Sequence, residues 1–130
     1  MARSILRLLI IGMLFSGLLM ACRTVPVYNV ESAPLAPPPR ASLADITRAI
    51  ERAGGGLGWE MSPVAPGHII GTLNIRSHTA VVDITYTRAT YSIHYNRSHN
   101  LEFDGANIHS NYNGWIQNLQ RAIQTEVATL

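Results

Sequence analysis

From residue 68 onward the chain alternates. Ile69, Gly71, Leu73 and Ile75 are interleaved with His68, Ile70, Thr72, Asn74 and Arg76, and Ala80, Val82, Ile84 and Tyr86 with Thr79, Val81, Asp83, Thr85 and Thr87. A period of two is that of strands with one buried face. Tyr91, Ile93 and Tyr95 continue it against Thr90, Ser92, His94 and Asn96. Ser77-His78 and Arg88-Ala89 sit at the reversals, so the three segments read as two successive hairpins, an antiparallel meander. A shorter strand over 57–61 precedes them and ends before the turn-rich Ser62-Pro63 and Pro66-Gly67.

Two amphipathic helices flank these strands. Ser42-Leu43-Ala44-Asp45 pairs a capping residue with an acid three positions on. Behind it Leu43, Ile46, Ala49, Ile50 and Ala53 share one face, Asp45, Arg48, Glu51 and Arg52 lie mostly opposite, and Gly54-Gly55-Gly56 ends the helix. Near the C-terminus Ile108, Tyr112, Trp115, Ile116, Leu119, Ile123 and Val127 form one broad apolar stripe at helical spacing. Asn113, Gln117, Gln120, Arg121 and Gln124 occupy its other side, and Asn107 or Ser110 is placed to cap its start. Two such helices and one alternating sheet bury their apolar surfaces only against one another. The expected fold is therefore α+β, a two-layer sandwich. In it a three- or four-stranded antiparallel meander carries an N-terminal and a C-terminal helix on one face and leaves the other face polar. Residues 42–130 suffice for one modest core, and no internal repeat is visible.

Upstream the pattern changes. Residues 23–41 hold Pro26, Pro34 and Pro37-Pro38-Pro39 among small residues and read as a tether, which at about 3.1 Å per residue would reach roughly 60 Å. Val25, Val27 and Tyr28 are the positions at which it could instead pack on the domain. Before it, Arg3 and Arg7 precede the apolar run Leu8 to Met20, the order of a secretory signal. As a helix that run spans about 20 Å, short of the roughly 30 Å hydrocarbon core that a retained span would have to cross.

The run ends in Leu19-Met20-Ala21-Cys22, which resembles the lipobox of bacterial lipoproteins: an aliphatic residue, a variable one, a small one, then cysteine. The resemblance implies a leader over 1–21 that is cut before Cys22, diacylation of the Cys22 sulfur and acylation of the new amino group. It further implies a membrane anchor, a tether over 22–41 and a folded domain over 42–130. One acyl chain holds a protein to a membrane only marginally, whereas two or more anchor it stably. Arg23 stands where the inner-membrane retention signal of such lipoproteins has Asp, so the same resemblance points to the periplasmic leaflet of the outer membrane. The stretch Ile108-His109-Ser110-Asn111-Tyr112-Asn113-Gly114-Trp115-Ile116-Gln117-Asn118-Leu119 is similar to the closing helix of small proteobacterial lipoproteins, a likeness that carries no activity. With Cys22 the sole cysteine, the domain has no internal disulfide to expect.

Removing the leader changes the charge. Two of the ten basic residues, all of them Arg, lie in it, which leaves eight against eight acids. The pI of about 9.0 belongs to the precursor. Nucleic-acid binding, which depends on a basic stripe to release counterions, loses its support.

The chemistry offered by the domain is sparse. Five histidines invite a metal reading, with His94, His99 and His109 the closest set and Glu102 and Asp104 nearby, yet the spacing matches no compact ligand signature, and no metal is expected. Ser92, His94 and Asp83 could share the polar sheet face as a nucleophile, base and orienting acid, but no Gly-x-Ser-x-Gly elbow accompanies them. Gly54-Gly55-Gly56 has no following Lys and lacks phosphate-loop spacing. Tyr91 to Trp115 is rich in Tyr, Asn, His and Ser, side chains suited to sugar or peptide surfaces, although Tyr91, Tyr95, Tyr112 and Trp115 also fit core faces and the asparagines fit turns. Asn96-Arg97-Ser98 matches a glycosylation sequon, to which a bacterial host gives no weight. The candidate binding surface is His94, Arg97, His99, Asp104 and His109. The expectation is a lipid-anchored, non-enzymatic module without a cofactor beyond the covalent lipid at Cys22, its partner an envelope protein or peptidoglycan. The rival reading is an envelope hydrolase or metal-dependent enzyme using His94 with Asp83 or Ser92.

Overall fold

The computed structural model describes residues 23–130. Cys22 and the leader before it lie outside the described residues. In chain order the elements are β1 (Thr24–Pro26), β2 (Val30–Pro34), α1 (Leu43–Gly56), β3 (Glu60–Ala65), β4 (His68–Ile75), β5 (His78–Tyr86), β6 (Thr90–His99), β7 (Asn107–His109) and α2 (Ser110–Ala128). Five strands form one antiparallel sheet in the order β2-β6-β5-β4-β3, and β1 pairs with β7 in a separate two-stranded ladder. The architecture is α+β.

The central hairpin follows from the alternation. β4 and β5 pair without interruption from Ile75↔His78 to His68↔Thr85, because both strands keep a strict period of two and Arg76-Ser77 closes the turn. Arg76 takes φ 55°, a left-handed value at which glycine is the usual occupant. β6 carries one extra residue opposite Val81/Val82, so that Val82 faces Tyr95 while Val81 faces Arg97. This bulge around Asn96 keeps Tyr91, Ile93 and Tyr95 on the inner face and turns the strand's end.

The sheet has five strands where the pattern suggested three or four, and the fifth comes from the segment read as a tether. Residues 24–34 form β1 and β2 instead of an extended spacer. The prolines there stand at strand ends, Pro26 in β1 and Pro34 in β2, positions on an outer strand where a missing N–H interrupts no inner ladder. Between them Val30 pairs with Ile93 and is 3% exposed. Ser32, at φ 44°, makes the bulge and donates its N–H to Ser92 Oγ at 2.9 Å. Side chains of α2 hold the same segment: Asn113 Oδ1 accepts from Tyr28 N at 3.0 Å, Asn113 Nδ2 donates to Pro26 O at 2.9 Å, and Tyr28 Oη donates to Gln120 Oε1 at 2.7 Å. Leu35 and Ala41 are also buried, so the fold begins well before Ser42.

Three local details differ from the pattern as well. β3 covers Glu60–Ala65 instead of 57–61; as the other edge strand it tolerates Pro63 at the cost of an irregular register beyond it. Ile108 belongs to β7, and His109 caps α2 in place of Asn107 or Ser110, its Nδ1 accepting from Asn111 N at 3.1 Å. α1 is preceded by two strands and so is not the first element of the fold. Its start is as the sequence suggests: Ser42 and Asp45 form a reciprocal capping box.

One apolar core joins the inner sheet face to both helices. Ile46 and Ile50 from α1 and Ile116, Leu119 and Ile123 from α2 meet Ile69, Leu73, Val82, Ile84 and Ile93. Two glycines permit this closeness. A Cβ on Gly54 would run into the Met61 side chain, and one on Gly71 would press on Val82 and the Trp59 ring at 3.2 and 3.3 Å. The Tyr91 and Tyr112 hydroxyls are buried without a well-formed hydrogen bond among the described residues, and burial raises both phenols above the ordinary tyrosine range.

Leu119 is fully buried, so Leu119→Ala is expected to lower stability by about 2–5 kcal/mol in urea denaturation. Gln117→Ala, on the exposed side of α2, should stay within about 0.5 kcal/mol. Equal and small effects would show that the stripe of α2 does not face the core. Gln120, whose amide receives the Tyr28 hydroxyl, is not a neutral control for this comparison.

Candidate functional site

With both helices on the inner face, the outward positions of β4, β5 and β6 form the open face of the sheet. Cross-strand register places His68, Thr85 and Ser92 in one row, Ile70, Asp83 and His94 in the next, and Thr72, Val81 and Arg97 beyond them. Directly opposed side chains on a sheet stand about 5 Å apart and diagonal ones about 7–8 Å, within reach of long polar groups. The geometry uses the diagonals. Asp83 Oδ1 meets His68 Nε2 at 2.7 Å, and Asp83 Oδ2 accepts from Asn96 Nδ2 at 2.8 Å. His94 Nε2 meets Glu31 Oε1 of β2 at 2.8 Å. Ile70 adds a part-exposed apolar spot between these pairs.

This arrangement separates the three residues of the hydrolase reading. Asp83 and His94 oppose each other in register, yet both Asp83 oxygens bond to other groups and His94 turns to Glu31. Ser92 Oγ accepts the Ser32 N–H, and its side chain is nearly buried under the β2 bulge. No hydrogen bond links any two of the three. The described grooves lie elsewhere: one of about 350 Å³ between α1 and α2 is lined by Arg52, Leu57, Arg121 and Ala122, and one of about 420 Å³ by Leu43, Thr47, Arg48 and Pro66.

The five residues of the candidate surface divide in two. His94, Arg97 and His99 lie along β6 on the open face, opposite Asp83, Val81 and Thr79. Asp104 and His109 belong to the junction between β6 and α2 and serve local structure. The Asp104 carboxylate accepts from Asn107 N at 2.7 Å and Ala106 N at 2.9 Å, closing the turn before β7, and those backbone donors hold it below the usual carboxylate range. His109 is the helix cap already described. Among the described residues no group of three or more His, Cys, Asp or Glu is placed to hold a metal ion. Cys22 falls outside them.

Two members of the site, His68 and Glu31, escape a reading of the sequence. A reversal at Ser77-His78, as the pattern suggested, would set His68 opposite Thr87; the turn lies one residue earlier, at Arg76-Ser77, and that register puts His68 and Asp83 on neighbouring rows. Glu31 was hidden because its strand is disguised by proline. Comparison with protein families, curated proteins and solved structures finds no significant match to this chain.

The Asp104 turn yields a pH test with a defined sign. A carboxylate whose folded pKa is depressed stabilises the turn fully above the unfolded value, and that contribution fades as pH falls through the folded value. The amide resonances of Ala106 and Asn107 should therefore titrate with a midpoint below 3.8, the ordinary value for Asp. A midpoint at or above 3.8 in an NMR pH series would show that the carboxylate does not hold these two donors.

Proposed function

We propose that this protein is a lipoprotein anchored through Cys22 in the periplasmic leaflet of the outer membrane, whose domain acts by binding an envelope protein or peptidoglycan. The observation that carries the anchor is Leu19-Met20-Ala21-Cys22 directly after a charged start and a short apolar run. Arg23, in place of Asp, supports the outer membrane. The binding half of the reading rests on the open sheet face. Its polar groups are held in the cross-strand pairs His68–Asp83–Asn96 and His94–Glu31, so they reach a partner already oriented and lose less side-chain freedom on contact. Exposed Asn96, Arg97 and Thr85 add donors and acceptors around Ile70. The partition of Asp83, Ser92 and His94 among separate partners favours binding over nucleophilic chemistry.

Cys22→Ser should abolish acylation in cells fed labelled palmitate and release the protein from the membrane fraction; label at the wild-type level would overturn the anchor. For the face, a photo-crosslinking residue at Thr85 should capture a protein adduct, or the purified protein should co-sediment with peptidoglycan. Asp83→Ala with His94→Ala should reduce whichever signal is found by about tenfold or more, as expected when oriented polar contacts at a binding surface are removed. A signal unchanged by that double substitution would move the binding surface elsewhere.

A further inference from the structure

Arg23, the residue after Cys22, is already part of the fold. Its carbonyl accepts the N–H of Ser110 at 3.0 Å, in register with the β1–β7 ladder. Successive Cα atoms are about 3.8 Å apart, so a lipid on Cys22 would have almost no slack between the folded domain and the membrane. The extended spacer suggested by the prolines would have allowed any orientation at roughly 60 Å; a one-residue link allows few.

The end of the molecule brought to the membrane is defined by a run of hydrogen bonds that starts at this attachment point. From Arg23 it passes to Ser110, then from His109 N to Leu101 O at 2.8 Å, then from Asn100 O to His78 Nδ1 at 2.6 Å and from Asn100 Nδ2 to Ser77 Oγ at 2.9 Å. It thus crosses from the N-terminal strand to the β4–β5 turn. Arg23 and Arg76 place two fixed cations on this end, both exposed; His78 bonds Asn100 here, His99 and His109 end strands β6 and β7, and Glu102 and Asp104 are the acids of the loop between those strands. The N-terminus of α2, positive by its dipole, opens at the same place. Arg76, Asn100 and Glu102 all hold left-handed φ near 55°, backbone positions that glycine would fill without strain.

We propose that this end is a membrane-docking surface that seats directly on anionic phospholipid headgroups, with Arg23 and Arg76 as its cationic contacts. The proposal rests on acylation at Cys22. Strands β4, β5 and β6 end or turn here, so docking stands the sheet upright on the bilayer and leaves its open face turned sideways, away from the lipid.

The test uses the full-length protein, purified from membranes and reconstituted into vesicles of phosphatidylethanolamine with phosphatidylglycerol, or of phosphatidylcholine alone. Acylation consumes the native thiol, so Ser77→Cys at the docking end and Thr87→Cys at the opposite end each provide a single labelling site. A fluorophore at residue 77 should be shielded from an aqueous quencher in the anionic vesicles and regain exposure in phosphatidylcholine, while one at residue 87 stays exposed in both. A basic residue at an anionic surface is worth about fivefold in the docked-to-undocked ratio, so Arg76→Glu should restore quenching at 77 by at least that factor. Arg88→Glu, the same charge change at the far end, should leave it unchanged. Equal quenching at 77 and 87, or equal effects of the two arginine changes, would overturn docking. The intact mass of the same preparation separates the two claims. An acylated, vesicle-bound protein with both labels exposed defeats the docking surface alone, whereas a protein without acyl chains defeats the anchor and the docking surface with it.

Discussion

An antiparallel sheet with one apolar face has to cover that face, and in a domain of this size the cover decides everything else. Here α2 contributes most of it. Ile116, Leu119, Ile123 and Val127 are fully buried along nearly the whole helix, with α1 alongside through Ile46 and Ile50. Burial at about 25 cal/mol per Å² makes this layer the main source of stability, and it forces the remaining face outward. The same contact recruits the N-terminal segment. Asn113 and Gln120, on the flank of α2, bond Tyr28 and Pro26 and lead the chain into β1 and β2 beside β6. α2 thus helps to fix the point at which the chain enters the fold, while the ladder with β6 holds the fifth strand at the sheet edge.

How much of this was legible depended on whether the determining signal is local. The β4–β5 hairpin, the capping box of Ser42 and Asp45 and the stripe from Tyr112 to Val127 are periodic or short-range features, and the sequence displays them directly. β2 is different. Its prolines resemble a spacer until one knows that the strand lies at a sheet edge, and that position is set by a partner, Ile93, more than 60 residues away. Ile108 fits the helical stripe by spacing, but β1 pairs with it and draws it into β7. His109 as a helix cap falls outside the usual Ser, Thr, Asp and Asn.

The candidate surface shows the same divide. His94, Arg97 and His99 share a face because period two survives along β6, with the Asn96 bulge correcting for the one irregular step. Asp104 and His109 carry the same kinds of side chain but spend them on a turn and a cap, since exposed loops must satisfy their backbone N–H groups with whatever polar group is adjacent. His94 acquires a carboxylate from Glu31 only because β2 is there. On the proposed reading, an anchor at Cys22 and the short link through Arg23 would hold the domain close to a membrane, with one polar sheet surface presented to the envelope.

That description depends on residues 24–35 being part of the cooperative fold, and native-state hydrogen exchange measures it directly. Val27 N–H is bonded to Ala106 O, Leu35 N–H to Ala89 O and Ser110 N–H to Arg23 O. These three amides should exchange through the same opening as the amides around Leu119, with protection approaching that of global unfolding. Exchange of Val27 and Leu35 at the rate of an unstructured chain, while the amides near Leu119 remain protected, would return the segment to a tether and contradict the account.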